Sequence, residues 1–168
     1  MSIQSKWILR SVLTALCGLA VGFILYNSLQ PAVESAQQSG RIVAMVQRVA
    51  VVIAPHSTIA NATGEAYLRL HEAVRTLAHF AEYALLGMLG GWCCLSYTAK
   101  KAFYAIPMAS VAVLGVLDEC LQTLAIGRGA QILDVLVDIS GGCVGWAVAY
   151  FTVYFIVKII KRREHETR

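Results

Sequence analysis

Four long apolar runs divide the chain: Trp7 to Leu29, Arg75 to Tyr97, Ala102 to Leu124 and Leu133 to Val157. Each is close to the roughly 20 residues that an α-helix needs to cross a hydrocarbon core. Residues 30–74 separate the first run from the second. Within them "RIVAMVQRVAVVIAP" sets Arg41, Gln47 and Arg48 on one side of an otherwise apolar helix of about four turns, stopped by Pro55. At roughly 14 residues this helix is too short to span, so the pattern predicts that it lies in the outer membrane interface or across the mouth of a bundle, with a re-entrant hairpin as the alternative. A further helix begins near Asn61 or Thr63, carries Glu65 and Arg69 at the i,i+4 spacing of an exposed ion pair, and runs straight into the second long run. The predicted fold is all-α and a single domain: a polytopic membrane bundle of four transmembrane helices with an interfacial helix in the long outer loop.

Composition agrees with this pattern. Apolar residues make up 58% of the 168 and charged residues 14%, against about 25% charged in an ordinary soluble domain. The net charge of +4 does not point to a nucleic-acid partner, because the basic residues sit at the ends of the apolar runs and not in a stripe along one soluble face. Lys6, Arg10, Lys100, Lys101, Lys158, Lys161, Arg162, Arg163 and Arg168, nine of the fourteen, fall on one side of the predicted bundle. By the positive-inside rule that side is cytoplasmic, which places both termini inside a cell membrane crossed several times, with residues 158–168 as a basic tail. The first run outlasts the core of about 7 to 15 residues of a signal peptide and has no small-x-small site at Gln30 and Pro31, so it is read as a retained helix. Cys17, Cys93, Cys94, Cys120 and Cys143 all lie in apolar runs and are expected as small buried hydrophobes.

The ionisable residues inside these runs are the informative exception. At about 100° per residue, Arg75, His79, Glu82 and Tyr83 share an arc of roughly 100° on the second helix. Asp118, Glu119 and Gln122 share a face of the third together with Gly115. Gly127 and Gly129 flank Arg128 in a tight turn, after which Asp134 and Asp138 stand one turn apart above Gly141 and Gly145, a small-xxx-small pair suited to close helix packing. If the helices alternate in direction, all these polar groups reach the same depth near the outer leaflet. A charged side chain in a bilayer costs a few kcal/mol, so several at one level predict a polar cavity. Glu82, Asp118, Glu119, Asp134 and Asp138 outnumber Arg75 and Arg128, and the imbalance calls for protons on the acids, a divalent cation or a cationic ligand group. His79, Glu82 and the aspartates suit a metal by ligand type, but their spacing is not that of a metal-binding motif, so no metal or cofactor is assigned. Each member also has a purely structural use: a bridge from Arg75, a hydrogen bond from Gln122, a cap from Asp134.

These residues carry a family resemblance. "RTLAHFAEYALLG" resembles the second-span motif of VanZ-like proteins, and "LDECLQTLAIGRGAQILDVLVDISGGCVG" resembles their second motif, the similarity running from about "YNSLQPAVESAQQSG" to Gly145. By position the resemblance covers Arg75, His79, Phe80, Glu82 and Tyr83, then Asp118, Glu119, Gln122, Gly127 and Arg128, then Asp134, Asp138 and Gly141. One departure is that Leu124 and Ile126 stand where the family commonly has an aromatic residue and a proline. The family is named for a determinant that lowers susceptibility to the glycopeptide teicoplanin, so the resemblance implies a role in the cell envelope, without implying resistance for this chain.

Three functional expectations follow. In the first, the cavity handles a lipid or cell-envelope precursor, with His79, Glu82, Asp118 and Glu119 as candidate acid and base groups. Arg75, Tyr83, Gln122, Arg128, Asp134 and Asp138 would then bind the ligand. No Ser-His-Asp nucleophile is evident. In the second, the protein binds a glycopeptide or its lipid-linked target without converting it. In the third, the acids and His79 relay protons for transport, although no polar path continues inward past Leu86 and Gly87. Membrane lipids are the expected partners in each case, and the oligomeric state is left open.

Overall fold

The computed structural model describes residues 3–98 and 104–166. Lys100, Lys101, Ala102, Phe103 and Arg168, which entered the topology and span expectations above, lie outside them. Among the described residues five helices follow one another: α1 (Ile3–Ser28), α2 (Ala32–Ile53), α3 (Gly64–Tyr97), α4 (Ala105–Gln122) and α5 (Ile132–Glu166). No strand occurs among the described residues, so the all-α expectation holds.

Among the described residues three helices are long and apolar enough to cross a membrane: α1, α4, and α5 from Ile132 to Arg163. The expected second span is not among them. Its helix α3 has the length, about 51 Å at 1.5 Å per residue, but Glu72, Arg75, His79 and Glu82 dilute its apolar character. Large apolar side chains such as Trp7, Leu19, Phe23, Val113, Phe151 and Ile156 are exposed on the outside of the bundle, the reverse of a soluble protein's surface.

Helices α3 and α5 form the closest-packed pair and run parallel. A Cβ at Gly141 would overlap the Phe80 carbonyl, and one at Gly145 would overlap the Ala84 carbonyl, so backbone meets backbone along this seam. Antiparallel α1 is fastened to α3 at both ends, by Arg10 donating to the Ser96 carbonyl at 2.8 and 3.0 Å and by Asn27 donating to Glu82 at 3.0 Å. Antiparallel α4 completes the bundle, with Val111 against Gly142 and Gly115 against Asp138.

Helix α2 starts at Ala32, well before the Arg41 expected from the apolar pattern. Its first nine residues, "AVESAQQSG", read as loop by composition, yet Pro31 precedes them as the N-cap and the Ala32 N–H, which has no partner within the helix, donates to the Ile126 carbonyl at 3.0 Å. From there α2 runs antiparallel to the first turns of α3: His71 bonds the Ala36 carbonyl at 3.0 Å, and Gln47 donates to the Ala62 carbonyl at 3.0 Å. As expected, α3 continues without a break from Gly64 through the second apolar run, and Glu65 and Arg69 pair at 3.6 Å. The last helix continues past Val157 to Glu166, since lysine, arginine and glutamate propagate helix well and Arg162 reaches Glu166 at 2.8 Å. The cysteines are less buried than expected: among the described residues none forms a disulfide, Cys17, Cys93 and Cys94 are half-buried, and Cys120 and Cys143 are exposed among the apolar surface residues.

Candidate functional site

The polar residues of α3, α4 and α5 meet at the end of the bundle where α2 sits. His79 stands between two helices, its Nδ1 3.5 Å from Asp138 Oδ1 and 4.0 Å from Asp118 Oδ2. The first separation lies beyond a good hydrogen bond. Asp118 is buried and well supported: Gln122, one turn later on α4, donates to its Oδ2 at 3.1 Å, and the Ser28 hydroxyl lies against its Oδ1. Asp138 is fully buried, and neither of its oxygens accepts a hydrogen bond from a described residue. Tyr83 is fully buried beneath, its ring bordering the space beside Gly115 that Asp138 also borders.

A cavity of about 190 Å³ opens above this knot, lined by Phe23, Ile24, Asn27, Ser28, Ser35, Gln38, Ser39, Ile42, Arg75, Ala78, His79, Glu82, Asp118 and Arg128. A second, of about 170 Å³, adjoins it across Ser35 and Ser39 and shares both arginines. Arg128 is held over the mouth by the turn between α4 and α5, where Gly127 takes φ +77°, a backbone region that favours glycine. Its Nη1 donates to the Asn27 carbonyl at 3.1 Å. Burial, with Arg75 close by, draws this guanidinium down from its ordinary value, and Asp118, Glu119 and Asp134 draw it back up. Arginine keeps its proton in proteins, so Arg128 presents a cation at this half-buried place.

Ten residues singled out from the sequence thus separate into groups. Arg75, His79, Glu82, Asp118 and Arg128 line the cavity, and Tyr83, Gln122 and Asp138 lie packed beneath it. Asp134 instead faces the groove between α3 and α5, where Arg75 Nη2 meets its Oδ2 at 2.8 Å. Glu119 turns to the start of α5 and accepts the Gln131 N–H at 2.6 Å, one of the donors that every helix start leaves free. Neither lines the cavity, so the expectation of one shared chamber for all of them is narrowed.

Sequence reasoning missed the contributions of α1 and α2. Asn27 and Ser28 look like the ordinary polar end of an apolar run, and nothing local ties them to Glu82 and Asp118. The polar face of Ser35, Gln38 and Ser39 does recur at helical spacing and was a readable signal. Ser28 also bears on the reading that no Ser-His-Asp nucleophile is evident, since its hydroxyl reaches Asp118 from a helix 90 residues away.

A family model, VanZ/LLP1, matches residues 13–156. The chain belongs to the VanZ/LLP1 family. The matched stretch takes in every residue that lines the cavity, and membership agrees with three membrane-length apolar helices in marking this VanZ/LLP1 chain as a membrane protein. Searches of curated proteins and of solved structures find no match.

Proposed function

We propose that this VanZ/LLP1 protein binds the anionic head group of a cell-envelope lipid or lipid-linked precursor at the outer face of the membrane. The observation that carries the reading is the convergence of Arg75 and Arg128 on one cavity that also presents Asn27, Ser28 and Gln38 as hydrogen-bonding groups. Guanidinium groups bind phosphate oxygens through paired, charge-assisted hydrogen bonds, and they are worth most where water is excluded. Phe23 and Ile42 at the rim would let acyl chains remain against the apolar flank of the bundle. His79, with Glu82 and Asp118, stands within the same cavity as the acid and base groups for any proton transfer to the bound head group.

The topology that suits this reading has four crossings, α1, the later part of α3, α4 and α5, with both termini cytoplasmic and α2 in the outer interface. It puts Lys6, Arg10, Lys158, Lys161, Arg162 and Arg163 inside and opens the cavity outward. Family membership favours a second reading, in which the occupant is a glycopeptide or its lipid-linked target, bound without conversion.

Native mass spectrometry of the protein in mild detergent tests the proposal. Phosphatidylglycerol is expected to be retained in preference to phosphatidylcholine, and Arg128→Gln to lower that retention roughly tenfold, the value of one charge-assisted contact of about 1.5 kcal/mol. Equal retention of both lipids, unaffected by Arg128→Gln, would overturn it. Recovery of an altered lipid identifies an enzyme, and retention of teicoplanin in place of lipid supports the second reading.

A further inference from the structure

Asp138 has the least support of any charged group in the bundle. Its side chain is fully buried, yet both carboxylate oxygens lack a hydrogen-bond donor, and a dehydrated carboxylate is stable only with a proton, a donor or a cation. His79 Nδ1, Tyr83 OH and Gln122 Oε1, nearby, are also without hydrogen-bond partners among the described residues. These unmet groups surround one point where three helices meet.

We infer that His79, Asp118 and Asp138 hold a divalent transition-metal ion such as Zn²⁺ or Mn²⁺. Each offers one donor atom, and the three atoms lie within 4.8 Å of one another, with the two measured approaches to His79 at 3.5 and 4.0 Å. Donors bound at about 2.0–2.2 Å stand roughly 2.8–3.6 Å apart around a tetrahedral or octahedral ion, so a small inward turn of these side chains closes the site. One imidazole with two carboxylates is a borderline donor set that suits zinc or manganese better than calcium. The charge also balances: a dication cancels two aspartates, whereas an imidazolium cancels one.

The surroundings behave as a ligand-orienting layer. Gln122 and Ser28 both fix the Asp118 carboxylate, as outer partners do in metal centres. His79 and Asp118 face the cavity, which leaves coordination positions open to a ligand there. Because the ligands come one each from α3, α4 and α5, the ion would also tie three helices together.

The site shares His79 and Asp118 with the cavity of the head-group reading, but it rests on their geometry with Asp138 and is tested without lipid. The full chain in detergent, stripped with a chelator and desalted, is titrated with Zn²⁺ and with Mn²⁺, and its metal content is measured after a second desalting. About one equivalent of at least one ion is expected in the wild type. His79→Gln and Asp138→Asn are expected to weaken binding roughly tenfold or more, while Glu34→Gln on α2 keeps wild-type binding. Should either substitution prevent folding, the wild-type thermal midpoint still reads the site, since it rises with ion concentration if the folded state binds the ion. Absence of stoichiometric metal, equal binding by wild type and both variants, or a midpoint indifferent to both ions would overturn the assignment.

Discussion

Arg75 serves two neighbours at once. It holds Asp134 at 2.8 Å on one side of α3 and lines the cavity on the other. The pair is only partly shielded, with 36% of the arginine side chain exposed, so its contribution to stability belongs with partly solvated ion pairs. Arg75→Gln is therefore expected to cost about 1 kcal/mol, read as a lower thermal midpoint in detergent, and Asp134→Asn about as much. The double variant should lose less than the two single losses combined, because both remove the same contact. His79→Ala and Asp118→Asn separate function from scaffold: membrane abundance measured by immunoblot is expected to stay within about twofold of wild type while lipid retention falls. Loss of protein in both would assign these residues to structure alone. At this scale helix periodicity alone placed Arg75, His79, Glu82, Asp118 and Gln122 on the inward faces of their helices. It could not reach Asn27 and Ser28, because their partners Glu82 and Asp118 lie 55 and 90 residues away.

Between elements, the α3–α5 seam decides where the site sits. Gly141 and Gly145 let the Phe80 and Ala84 carbonyls approach so closely that even a methyl group has no room, and the neighbour is backbone, which cannot swing aside. Gly141→Ala and Gly145→Ala are expected to destabilise the bundle by about 1–3 kcal/mol, the range of an overpacked core, with a matching fall in thermal midpoint. Gly18→Ala, on a helix face with nothing near it, should be neutral or slightly stabilising by the same measurement. The seam was foreseeable from the four-residue spacing of these glycines. The start of α2 was only partly legible: Ser35, Gln38 and Ser39 recur at helical spacing, but "ESAQQS" has the composition of a loop until a polar cavity and the Ile126 carbonyl are there to receive it.

For the whole molecule, the distribution of charge and exposed apolar surface makes a topological prediction. In intact cells a membrane-impermeant maleimide is expected to label Ser57→Cys, in the link between α2 and α3, and to leave Lys161→Cys unlabelled until the membrane is opened. The opposite pattern would turn the cavity toward the cytoplasm and overturn the proposed envelope role. The native thiols at Cys120 and Cys143, exposed among apolar residues, should stay unlabelled in the bilayer.

Helical class, the approximate extents of the apolar runs and the facing of each polar stripe were all determined along the chain, because they depend on periods of a few residues and on local propensity. Tertiary structure alone decided that His79, Asp118 and Asp138 share one buried point, that Asp134 and Glu119 turn away from the cavity, and that α1 and α2 supply its walls. The physical reason is the range of the interactions: a stripe is a property of one helix, whereas a site is a property of the distances between helices, and those are set by side chains far apart in sequence.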